Sequence, residues 1–140
     1  MERRNETKSK SLLEEAAKCF EEFDKKSKVQ IVRRDGVTIV NFVSGASYVD
    51  RNGTTRKLRV GISYHPGEGG VEVNFIDVPK GFSGSGYLNR LLDTIESFTR
   101  RVDRDIVEFY WDDPDGNLRD RGYQPYISDT RDIIGYAKRI

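Results

Sequence analysis

The sequence predicts an α+β fold: a mixed, mostly antiparallel twisted sheet flanked by helices, with a strand–helix–strand crossover near its centre. Three observations carry this. Apolar, β-branched runs flank Asp35-Gly36 and again Asn52-Gly53, pairs that accept the positive φ of a type I′ hairpin turn. From residue 84 the apolar period lengthens to that of a helix, with Leu88, Leu91, Leu92, Ile95, Phe98 and Val102 on one stripe. A strand on each side of that helix makes a crossover unit, whose two strands are expected to be parallel.

The elements follow in order. Residues 1–10 read as a mobile leader ahead of a single domain over 11–140. Ser11 and Glu14 have the spacing of a capping box, and Leu12, Leu13, Ala16, Phe20 and Phe23 recur at helical spacing, so a helix is expected over 11–26. "VQIVRR" and "VTIVNFVS" make the first hairpin, and the runs around Asn52-Gly53 make the second. "VEVNFIDV" is a further strand after the turn "HPGEGG". The helix over 86–101 leads to the strand "DIVEFYW". "DDPDGN" is a turn, "LRDRGYQPY" is short and irregular, and "RDIIGYAKRI" closes the chain as a strand. The meander's edge strands leave a homodimer open.

A chain of 140 residues can bury one real core, and 34% charged residues imply a heavily charged surface. The net charge of +1 gives no strong pull towards nucleic acid or an anionic membrane, so neither is an expected partner. No apolar run approaches 18 residues, and the first residues lack the apolar core of a secretory signal. The lone Cys19 rules out an internal disulfide and suits a reducing compartment, so the expected location is the cytoplasm. His65, the one histidine, lacks neighbours for a zinc site and reads as a surface residue at a hairpin end. Asp113, Asp115 and Asn117 begin like a calcium loop, but its twelfth position is Gln124 rather than a bidentate Glu, and no metal is expected.

The stretch "VPKGFSGSGYL", residues 78–88, carries the candidate chemistry. Gly84 and Gly86 bare the backbone just before a helix, and Ser83 and Ser85 add hydroxyl donors. A helix N-terminus presents unpaired N–H groups and the positive end of the dipole, so a pyrophosphate could approach closely. The same residues also suit a plain turn entering a helix. A P-loop is excluded because Gly-Tyr-Leu stands where Gly-Lys-Ser/Thr is needed, and a dinucleotide fingerprint because Asn89 stands at its third glycine.

This strand, its Gly/Ser turn and the paired Leu91-Leu92 resemble the acetyl-CoA-binding segment of the GNAT acetyltransferase superfamily, Arg/Gln-x-x-Gly-x-Gly/Ala. "RDRGYQPY" is similar to the family's Tyr-x-x-x-Gly-Phe, with Gly122-Tyr123 as the Gly-Phe. The resemblance covers about residues 11–140 and implies a GNAT-like fold. It implies acetyl-CoA as cofactor, held by Val78, Phe82, Ser83, Gly84, Ser85, Gly86, Tyr87 and Leu88. It also implies a small-molecule or protein amine as acceptor, and Glu72 as the catalytic base. Three positions depart from the pattern: Ser83 stands for Arg/Gln, Leu88 for the second small residue, and Leu118 for the tyrosine that often protonates the leaving thiolate. Two functions therefore stand side by side. One is an N-acetyltransferase with an unknown amine acceptor; the other is a GNAT-like domain without catalysis that serves as a binding or interaction module. An open groove between the strands at 71–78 and 105–111 favours the first. A groove filled by Phe82, Tyr87 or Leu88 favours the second.

Overall fold

The computed structural model describes residues 2–49, 52–65, 69–77, 87–110, 117–127 and 129–140. In chain order the elements are α1 (Glu2–Phe23), β1 (Lys28–Arg34), β2 (Val37–Val49), β3 (Thr55–Tyr64), β4 (Gly70–Asp77), α2 (Tyr87–Arg101), β5 (Ile106–Phe109), α3 (Asn117–Asp120), β6 (Gln124–Ile127) and β7 (Ile133–Arg139). The strands form one sheet in the order β1-β2-β3-β4-β5-β7-β6. Every neighbouring pair is antiparallel except β4 and β5, the two strands joined by α2. The expected crossover thus lies inside the sheet.

The first hairpin closes as its residues require: Asp35 and Gly36 both have positive φ, 51° and 78°, directly after the pair Arg34↔Val37. Gly53 takes a φ of 77° at the second turn. Two boundaries differ from the sequence reading. The first helix begins at Glu2 rather than 11 and stops at Phe23 rather than 26. Its early residues contain no Gly or Pro to break the helix, so Ser11 lies within it rather than at its start. The helix ends where the Asp24 carboxylate accepts hydrogen bonds from the amides of Lys26 at 3.0 Å and Gly45 at 2.8 Å, which ties its last turn to β2. The second difference is "LRDRGYQPY", which holds part of α3 and most of β6, because residues 124–127 find a pairing partner in β7.

Both long helices lie on one face of the sheet. Leu91, Leu92, Ile95, Phe98 and Val102 of the predicted stripe are buried, together with Leu13, Ala16 and Phe20 of α1 and the inward residues of β2–β5. Phe20 stacks between Phe42 and Phe98, with ring centroids 5.1 and 5.6 Å away. Each such side chain contributes about 1.5–3 kcal/mol through burial. Cys19 sits between the helices, its Sγ 3.6 Å from the Thr94 carbonyl, and burial pushes its thiol up to about 12. No helix among the described residues is long and apolar enough to cross a membrane.

Candidate active site

The parallel ladder between β4 and β5 is short. It runs from Gly70↔Ile106 to Val73↔Phe109 and stops, while β4 stays paired with β3 as far as Arg59↔Asp77. The cause is local. Ile62 pairs with Val73 and Gly61 with Phe75, so Asn74 is an extra residue on β4. Such a bulge bends its strand and breaks the pairing on its flank. Asn74 Nδ2 donates to Ser63 Oγ at 2.6 Å, which holds the bulge against β3. On the other side β7 holds β5 tightly: a Cβ at Gly135 would run into the Phe109 carbonyl oxygen and stand 3.1 Å from the Tyr110 Cα. Thus, among the described residues, β4 continues with β3 beyond Val73 while β7 holds β5, and β4 and β5 are no longer paired; we call this end of the ladder the wedge. Along it, the β5-facing edge of Asn74–Asp77 has no ladder partner among the described residues. Helix α2 follows, with no acidic residue in its first turn to repel an anion.

Glu72 lies at the apex of this wedge. Val71 and Val73 point into the core, so strand alternation sends Glu72 to the opposite face, away from the helices. There it stands in register with Glu108 on β5. The Tyr110 hydroxyl donates to Glu108 Oε2 at 2.7 Å, and that of Tyr126 to Glu108 Oε1 at 3.2 Å. Burial, and then the Glu108 carboxylate, hold both phenols above their usual range, with Glu72 adding to the effect on Tyr110. Both therefore keep their protons firmly and are poor acids. The Nε2 atom of His65 lies 3.7 Å from Glu72 Oε2, and both side chains are under a third exposed. An open hollow of about 460 Å³, lined by Ile106, Gln124, Tyr126 and Arg139 among others, adjoins this cluster.

The core side of β5 is sealed. Leu118 is 5% exposed and packs in the core. Tyr123 lies edge-on to Phe109 at 5.3 Å and donates its hydroxyl to Glu96 at 3.2 Å. Glu96 was not singled out from sequence. It is 4% exposed, yet receives Arg121 at 2.7 Å and Lys138 at 3.2 Å. Burial alone would raise its carboxyl; Arg121 and then Lys138 outweigh this and hold it below the usual range. This cluster joins α2, the residue after α3, and β7 behind the wedge.

Of the predicted site residues, the structure places Glu72 at the end of the β4–β5 ladder and Leu88 half-buried against the core. Val78, Phe82, Ser83, Gly84, Ser85 and Gly86 lie outside the described residues, as does the side chain of Tyr87. Asp113 and Asp115 lie outside them too. Among the described residues no three His, Cys, Asp or Glu come together to hold a metal ion.

No protein-family model matches the sequence, and no curated protein matches it. Solved structures do match in shape. A GCN5 from Tetrahymena aligns with 76% of this chain and 70% of its own at a TM-score of 0.52 and 14% identity. A putative acyl-CoA N-acyltransferase from Klebsiella pneumoniae aligns over 77% and 75% at 0.52 and 14%. The N-acetylglutamate synthase of Neisseria gonorrhoeae, solved with coenzyme A and N-acetyl-glutamate, aligns with 89% of this chain and 32% of its own at 0.50 and 13%. The chain has the fold of the GNAT acetyltransferases. At these identities the likeness speaks for the GNAT fold and leaves chemistry to the residues themselves.

Proposed function

We propose that the chain is an acyl-CoA-dependent N-acetyltransferase acting on an amine, carried by a small molecule or a protein. The observation that supports this reading is the wedge: the β4–β5 ladder ends at Val73 and Phe109, and the backbone of Asn74–Asp77 has no ladder partner on that side among the described residues. An extended amide-bearing chain such as the pantetheine arm of acetyl-CoA pairs with such an edge as an added strand does. The N-terminus of α2, preceded by Ser83, Gly84, Ser85 and Gly86, would hold the pyrophosphate, with Val78, Phe82, Tyr87 and Leu88 beside it. Glu72 would take the proton from the acceptor nitrogen. Acetyl-CoA is a substrate here, and the N-acetylglutamate synthase with the same fold was solved with coenzyme A.

One observation favours a second reading. Leu118, buried in the core, supplies no proton donor at the place where the resemblance puts the family's tyrosine. On that reading the wedge binds without turnover. Calorimetry with acetyl-CoA and CoA separates the readings, with Gly86→Trp as control. Micromolar binding that the variant loses supports the acetyltransferase, and a screen of amine acceptors follows. No binding at millimolar acetyl-CoA leaves the interaction module.

A further inference from the structure

His65 reads in sequence as a surface residue, yet it stands beside the candidate base. We propose that His65 is a positioning residue for Glu72: the two share one proton, and His65 is the outlet through which a proton from the acceptor reaches water. The proposal rests on the acetyltransferase reading. Its ground is geometric. Glu72 projects from β4 on the open face of the sheet, and the β3–β4 hairpin returns His65 to within 3.7 Å of its Oε2. That is an ion-pair separation, and one intervening water or a small side-chain movement converts it into a hydrogen bond. No Lys or Arg makes an ion pair with Glu72 or Glu108 among the described residues. Around Glu72, among the described residues, stand His65, Glu108 in register on β5 and Tyr110 just after it, with Tyr126 of β6 beyond on Glu108. Asp105 lies nearby at the hairpin base, its amide on the Gly69 carbonyl. The two phenols retain their protons, and Glu108 accepts both. His65 is the one imidazole in this set, and its ring nitrogens can both accept a proton from Glu72 and hand one to water.

The protons balance. An acceptor ammonium gives one proton to the Glu72 carboxylate, which passes it to neutral His65, and imidazolium releases it to water. The freed amine forms its bond to the thioester carbonyl carbon as the carbon–sulfur bond breaks, and the second proton of nitrogen leaves on the CoA thiol. Both His65 and Glu72 end as they began.

The single histidine gives a single set of ring signals, so its titration is read by NMR without assignment. Glu72→Gln removes the nearby negative charge and is expected to lower the His65 midpoint by about half a pH unit or more. By reciprocity, His65→Gln raises the midpoint of the ¹³C-labelled Glu72 carboxyl. Glu108→Gln is expected to move His65 less than Glu72→Gln does. A His65 midpoint unmoved by Glu72→Gln overturns the pair, whatever the protein binds. With an acceptor from the screen, His65→Gln is expected to lower kcat about tenfold, to leave KM for acetyl-CoA unchanged, and to regain rate with added imidazole. Normal turnover in His65→Gln overturns the outlet while leaving the acetyltransferase reading intact. Coupled midpoints in a protein that binds no acetyl-CoA overturn that reading, and the outlet falls with it.

Discussion

Single residues set the wedge and its chemistry. If Glu72 is the base, Glu72→Gln lowers kcat by about 10²–10⁴ and leaves acetyl-CoA affinity unchanged, because it acts on the acceptor's proton and not on the cofactor. Stopped-flow release of CoA thiol checks the first half and calorimetry the second. Gly135 makes a purely structural prediction. A methyl there meets the backbone carbonyl of Phe109, which cannot rotate away, so Gly135→Ala must push β7 from β5. The expected cost is about 1–3 kcal/mol, read as a lower midpoint in urea. Glu72 was named from the sequence only through the family resemblance; the structure adds that alternation along "VEVNF" puts it opposite two core valines. The place of His65 was not legible, because a loop residue has no period, and its neighbour is set by where the hairpin returns. The bulge at Asn74 was equally hidden, since one extra residue leaves the apolar alternation on either side intact.

At the scale of elements, α2 is held twice. Its apolar stripe packs on the sheet, and Glu96 on its flank binds Arg121 and Lys138. Glu96→Gln leaves Lys138, a quarter exposed, without this carboxylate while Arg121 keeps Asp93 at 2.6 Å, so the expected cost is about 1–3 kcal/mol. The sign of the pH dependence follows from the lowered carboxyl. The stabilisation by Glu96 is present above its ordinary value of 4.5 and is lost as pH falls through its lower value in the folded protein. Urea unfolding between pH 7 and pH 3 should therefore show a gap between wild type and Glu96→Gln that narrows on acidification. The stripe itself was readable, since Leu91, Leu92, Ile95, Phe98 and Val102 all face the core as their spacing demands. Glu96 was not, because a carboxylate beside the stripe looks like any solvated helix residue until Arg121 and Lys138 arrive from later elements. Strand β6 was missed for a related reason. Its four residues are exposed and include Pro125, so only pairing with β7 makes them a strand.

For the whole molecule, the two halves of the sheet meet at one short parallel ladder, Gly70–Val73 with Ile106–Phe109. The β1–β4 meander lies on one side and β5, β7 and β6 on the other, with α1 and α2 spanning the core face. A ligand seated in the wedge would bridge the halves where the backbone does not, and this gives a global readout of the proposed function. Acetyl-CoA at a hundred times its dissociation constant should add about 2.7 kcal/mol, a rise of a few degrees in Tm for a chain of this size. The same protein followed by hydrogen exchange should show added protection at the β5-facing amides of Asn74–Asp77, and little change along β1 and β2. A Tm rise with protection elsewhere would place the ligand outside the wedge. No rise would mean that acetyl-CoA does not bind and that the bulge at Asn74 and the close approach at Gly135 are architectural. Either result is informative because the end of the β4–β5 ladder is read from strand register among the described residues, independently of the Gly/Ser turn.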